Sequence, residues 1–249
     1  MIDPVEQFHI KNIFTIGHIG HQEIAFTNSS AFMLATVALI SLLMIGGMAR
    51  KQLVPGRIQS MAELSYEFVA DMIRSNAGSE GMRFFPFVFT IFMLVTVSNM
   101  IGVFPYSFTI SSHIIVTVAL ALTVFFTVLI YGFYKNGLKF LKIFVPHGIP
   151  IVILPLVVAI EVISFLSRPV SHSVRLFANM LAGHITLYVF GSFVVMFGAF
   201  GVVGWAGSVL PLGLTVALSA LDILVALLQA YVFAILTCIY LNDALHPGH

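Results

Sequence analysis

Charge is what this sequence lacks. Only 8% of its 249 residues are Asp, Glu, Lys or Arg and 59% are hydrophobic, whereas a soluble domain carries roughly 25% charged residues. A surface that poor in charge cannot be clothed for water, which excludes a soluble enzyme and makes lipid the solvent. Basic and acidic residues nearly balance, 11 against 10, so nothing points to nucleic acid. The single cysteine, Cys238, excludes both a disulfide framework and a thiolate metal cluster. A phosphate loop, a nucleophile elbow and a metalloprotease motif are likewise missing, and no metal or cofactor is expected. Asp3 and Glu6 precede the first apolar run without a basic start or a small-residue cleavage site, so the first span is expected to be retained.

What is there is a set of long uncharged stretches, 24–49, 84–134, 143–160, 176–221 and 223–242. At about 20 residues per crossing, the first predicts a span over 31–49 and the second predicts two, over 84–104 and 114–134. Eight of the eleven basic residues fall in 50–83 (Arg50, Lys51, Arg57, Arg74, Arg83) and 135–142 (Lys135, Lys139, Lys142). Basic loops stay in the cytoplasm, which puts the N-terminus outside. Two spans separate the basic segments, so the count agrees with both being cytoplasmic.

Residues 58–73 place Ile58, Met61, Ala62, Phe68, Val69, Met72 and Ile73 on one helical face and Gln59, Glu63, Glu67 and Asp71 opposite. That pattern predicts an amphipathic helix on the cytoplasmic surface, against membrane, a partner or the bundle itself. Residues 150–203 and 208–241 are apolar too, but too long for simple spans. Periodicity leaves two readings of 150–203 open: two spans joined at Arg168-Pro-Val-Ser-His-Ser-Val-Arg175, or one long helix running through Pro169. The fold class is all-α and polytopic, a single membrane domain over 1–249 with about five membrane helices.

Five ionisable side chains interrupt the apolar C-terminal half: Glu161, Arg168, Arg175, His184 and Asp222. Each costs about 2.5–3.5 kcal/mol to insert at mid-membrane, which marks it as a functional candidate. Helical phase gives Arg175 and Asn179 a common face and turns His184 about 180° away from it. Asp222 and Gln229 share a face of the last helix. Guanidinium stays charged at any depth, and the face of Arg175 offers no carboxylate nearby, so its partner is sought on another subunit. Arg168 beside a proline reads as an interfacial anchor. A secondary transporter would need paired internal repeats, and the Arg175 helix has no second copy. A haem enzyme would need histidines on facing helices, and only His113 with His172 offers itself.

Arg175-Leu-Phe-Ala-Asn179-Met-Leu-Ala-Gly-His184 resembles the signature helix of subunit a of F-type ATP synthases. Asn99-Met-Ile-Gly102-Val-Phe-Pro105-Tyr-Ser-Phe-Thr, Glu161 upstream of the signature, and Leu227-Leu-Gln229-Ala-Tyr-Val-Phe are similar to further motifs of that family. The resemblance covers roughly 3–245. It implies a non-catalytic, proton-conducting stator subunit in a heteromeric complex. Its partners would be a c-ring, the peripheral-stalk subunit b and membrane lipid, and its place the inner membrane of a bacterium, with the C-terminus cytoplasmic. It also implies that 150–203 and 208–241 form a strongly tilted hairpin of long helices beside the ring. Two half-channels and the residues Arg175, Asn179, His184, Asp222, Gln229 and Glu161 would carry proton translocation. Many bacterial members have Glu at the position of His184 and His at that of Asp222. The exchange here looks like the alphaproteobacterial and mitochondrial branch, and favours proton over sodium.

Overall fold

A computed structural model describes residues 9–10, 12–19, 22–49, 54–104, 107–145 and 153–246. Arg50, Lys51, Pro105, Tyr106 and the 150–152 start of the first long segment lie outside the described residues. Six α-helices dominate the described residues: α1 Asn28–Met48, α2 Arg57–Gly81, α3 Phe85–Val103, α4 Ile114–Asn136, α5 Leu154–Gly198 and α6 Gly201–Leu245. Among the described residues, five helical stretches are long and apolar enough to cross a membrane, so the chain is a polytopic α-helical membrane protein. Its apolar exterior fits that solvent: Leu42, Ile115 and Leu210 are each at least 70% exposed, a liability in water and ordinary against lipid.

One element escaped the sequence reading. Strands β1 (Asn12–Ile19) and β2 (Gln22–Thr27) pair antiparallel ahead of α1, with Phe14 opposite and stacked on Phe26, ring centroids 5.1 Å apart. Its signal is the β-branched run in Asn-Ile-Phe-Thr-Ile-Gly-His-Ile, which favours a pleated strand. α2 runs beyond 58–73 to Gly81, with its backbone broken at Gly78, where φ is +65°. Its sorted faces also differ from a simple stripe. Ala62, Val69, Met72 and Ile73 are buried while Ile58, Met61 and Phe68 stay about half exposed.

Of the two readings of the C-terminal half, the observed one is the long helix. α5 continues through Pro169 for 45 residues, and α6 has the same length. At 1.5 Å per residue each is about 68 Å long, against a hydrocarbon core of about 30 Å. They are joined at Ala199–Phe200, so the gap between the expected segments 150–203 and 208–241 is replaced by a two-residue reversal a few residues earlier. Gly201, at φ +71°, takes the left-handed conformation the reversal demands.

The described residues fall into two compact units. The first draws on Met1–Leu42, Leu94–His113 and Leu176–Ala230. Its centre is polar: Asn99 is fully buried, accepts from Ser111 Oγ at 2.6 Å, and donates to the Ala226 carbonyl at 3.3 Å. In hydrocarbon such groups must be satisfied internally, and small side chains here let the helices approach closely enough to do it.

The second unit draws on Leu43–Met93, Ile114–Arg175 and Tyr231–His249. Phe125, Phe140 and Phe144 surround the buried Phe165 at centroid distances of 5.2 to 6.4 Å. Several of its polar contacts gather helix ends. Lys135 pairs with Glu80, Asn136 donates to the Ala244 carbonyl at 2.7 Å, and Lys135 reaches the Leu245 carbonyl at 3.5 Å. The ends of α2, α4 and α6 are thereby gathered. Arg168 bonds Asp243 at 2.7 Å and lies over the Tyr240 ring at 4.8 Å, so it anchors α5 to α6 within this unit.

Candidate functional site

His184 and Asp222 come together in the first unit. His184 Nε2 and Thr109 Oγ1 are 2.9 Å apart, and Asp222 lies against Gly183, the residue before His184 on α5. Two features allow this. α5 carries glycine at 183, and a Cβ there would collide with Asp222 Oδ1, so the carboxylate approaches the backbone of α5 where any side chain would exclude it. The turn before α4 folds Thr109 back onto α3 and presents its hydroxyl to the imidazole. Asp222 is 6% exposed, and its Oδ2 has no hydrogen-bond partner among the described residues. An unsatisfied carboxylate oxygen at this depth is costly, and such groups gather at sites with work to do.

The remaining sequence candidates are placed differently. Arg175 lies exposed on α5 in the second unit, and it joins no ion pair among the described residues. Asn179 is half-buried, with Nδ2 lacking a partner among the described residues. Gln229 is buried in the first unit, one turn along α6 from the Ala226 carbonyl that Asn99 caps. Glu161 is half-buried on α5, and no ion pair holds it among the described residues. The two histidines that a haem would need each pack on a phenylalanine instead: His113 on Phe108 at 4.8 Å, His172 on Phe233 at 3.8 Å. No cluster of metal-ligating side chains occurs among the described residues.

Sequence reasoning gave Thr109 no role. Its signals were its place as the last residue of the 99–109 motif and a hydroxyl in an uncharged turn close to the end of α3.

With this geometry in view, comparison with known proteins is decisive. The family model described as ATP synthase A chain matches residues 30–242. The chain belongs to the ATP synthase A chain family. It is 76% identical over 249 residues to a protein of Nitrobacter winogradskyi named ATP synthase subunit a, covering all of both chains. It is 74% identical over 247 residues, 99% of each chain, to a protein of the same name from Rhodopseudomonas palustris. Membership in this family makes the chain a component of an ATP synthase, tied to ATP synthesis and proton transport. With its five long apolar helices, it is a multi-pass bacterial membrane protein. The match spans every sequence candidate from Glu161 to Gln229, whereas the β1–β2 hairpin precedes it.

Proposed function

We propose that this chain is the proton-conducting stator of a rotary ATP synthase, with Arg175 facing the carboxylates of a c-ring and two half-channels leading to it. The observation that carries the reading is the exposed Arg175 guanidinium, unpaired among the described residues of a membrane helix. Such a charge needs a carboxylate, and a moving ring supplies one carboxylate after another. An ionised ring carboxylate is drawn to Arg175, and their attraction offsets the cost of holding both in low dielectric. A proton delivered through one half-channel neutralises the carboxylate, which then moves out against lipid. Arg175 repels a proton attempting to pass straight across, so flow is coupled to rotation. Each proton falling through 100 mV releases about 2.3 kcal/mol, so several are needed for each ATP. The bond-making chemistry then lies in other subunits, and this chain itself catalyses nothing.

His184 and Asp222 act as a proton relay, and Asn179, Gln229 and Glu161 also serve proton translocation. The long helices α5 and α6 lie steeply tilted beside the ring, which accommodates about 68 Å of helix in a far thinner hydrocarbon layer. Subunit b docks on the cytoplasmic side. The gathering of Glu80, Lys135 and Leu245 at one end supports a common cytoplasmic location for both basic segments and the C-terminus.

Purification by a tag on this chain is expected to bring down a ring of small hairpin proteins and a soluble ATPase; a lone protomer would overturn the reading. Orientation is checked with single cysteines in a Cys238→Ser background. Cysteine at Glu63 or Lys139, both exposed, is expected to react only from the cytoplasmic side, and cysteine at Ser107 only from outside. Reaction at Ser107 from the cytoplasm would reverse the topology.

A further inference from the structure

We infer that Thr109 is a positioning residue for proton transfer, its hydroxyl holding the His184 imidazole through Nε2 in both protonation states. The inference rests on the reading of His184 as a proton carrier. The contact is direct, Thr109 Oγ1 to His184 Nε2 at 2.9 Å, with Thr109 itself 3% exposed. A ring that takes up and releases a proton changes what its nitrogen asks of a neighbour. Neutral imidazole with a bare Nε2 needs a donor, and imidazolium needs an acceptor. A backbone carbonyl serves only the second state and an amide N–H only the first. A hydroxyl rotates and serves both, so the ring keeps its place and its partner through the cycle. In a low-dielectric site an unmet demand of either kind is costly.

The surroundings hold Thr109 for this task. Ser112 Oγ donates to the Thr109 carbonyl at 2.6 Å. Ser111, in the same turn, donates to Asn99 at 2.6 Å, and Asn99 in turn bonds the Ala226 carbonyl on α6. Gly102 completes the seat, because a Cβ there would lie 2.8 Å from Thr109 Cγ2 and 3.0 Å from Oγ1. The turn is therefore fixed to both α3 and α6, and its one hydroxyl aimed at α5 meets the imidazole. Asp222 lies against Gly183, the residue before His184 on α5. His113 lies four residues along the same turn but stacks on Phe108.

The test measures passive proton conduction through the assembled complex in membrane vesicles, divided by the amount of complex present. Thr109→Val keeps the shape and deletes the hydroxyl. It is expected to slow conduction roughly two- to tenfold, the range one hydrogen bond supports. Thr109→Ser is expected to retain most of it. In a His184→Ala background, Thr109→Val is expected to add nothing further. If the valine complex does not assemble, Thr109→Ala replaces it with the same expectation. Wild-type conduction in the valine or alanine variant overturns the proposal, as does a serine variant as slow as valine, or a full extra loss on His184→Ala. Wild-type conduction in His184→Ala alone would sink the relay reading itself, and Thr109's role with it.

Discussion

Replacing Arg175 with alanine is expected to abolish proton-driven ATP synthesis while leaving the complex assembled. Arg175 is exposed and takes part in none of the ion pairs that tie the second unit together, a task left to Arg168 with Asp243 and Lys135 with Glu80. Removing it therefore leaves the described packing of the chain intact. What is lost is the fixed positive charge that attracts an ionised ring carboxylate and bars direct proton passage. Arg175→Lys is expected to fail as well. An ammonium can shed its proton when buried, and it lacks the planar fork that engages both carboxylate oxygens. ATP synthesis in inverted vesicles, read beside the yield of assembled complex, checks both variants. Near wild-type synthesis in either would end the stator reading.

The second large effect concerns His184 and Asp222. Each single loss is expected to slow proton delivery strongly, since the relay needs one group that titrates near working pH beside a second that hands the proton on. The double exchange His184→Glu with Asp222→His restores one imidazole and one carboxylate, and is expected to recover more flow than either single change. A double-mutant cycle on rates should then show a non-additive term of about 0.5–3 kcal/mol. Recovery has a steric limit, because the ring placed at 222 must sit where a carboxylate now presses against Gly183. Gly183→Ala in the wild-type background is accordingly expected to slow proton delivery too, by displacing Asp222 from α5. Simple addition of the two single effects, with no gain in the exchange, would mean that the two groups do not work as a pair.

Hydropathy and charge carried much of this protein openly. The uncharged stretches 24–49 and 84–134 stand out because lipid tolerates few charges, and the basic clusters at 50–83 and 135–142 stand out between them. Arg175, His184 and Asp222 stood out as candidates for the same reason: an ion in an apolar run is costly. The β1–β2 hairpin was less so, because its alternation is short and half its residues are polar or glycine. The choice between two spans and one long helix over 150–203 was beyond periodicity, since both arrangements present the same apolar pattern and a proline is compatible with either.

By itself, then, the sequence determined the solvent, the crossings and which side chains are costly enough to matter, because those depend on composition along the chain. Tertiary structure decided which of them meet. His184 and Asp222 are 38 positions apart, and Thr109 is 75 from His184. What joins them is a missing Cβ at Gly183, another at Gly102 and a two-residue reversal at Ala199–Phe200. Helical phase assigns a residue to a face of its own helix. Which atoms stand opposite depends on how closely two backbones approach, and that is set by small residues and turns whose effect appears only once the helices are packed.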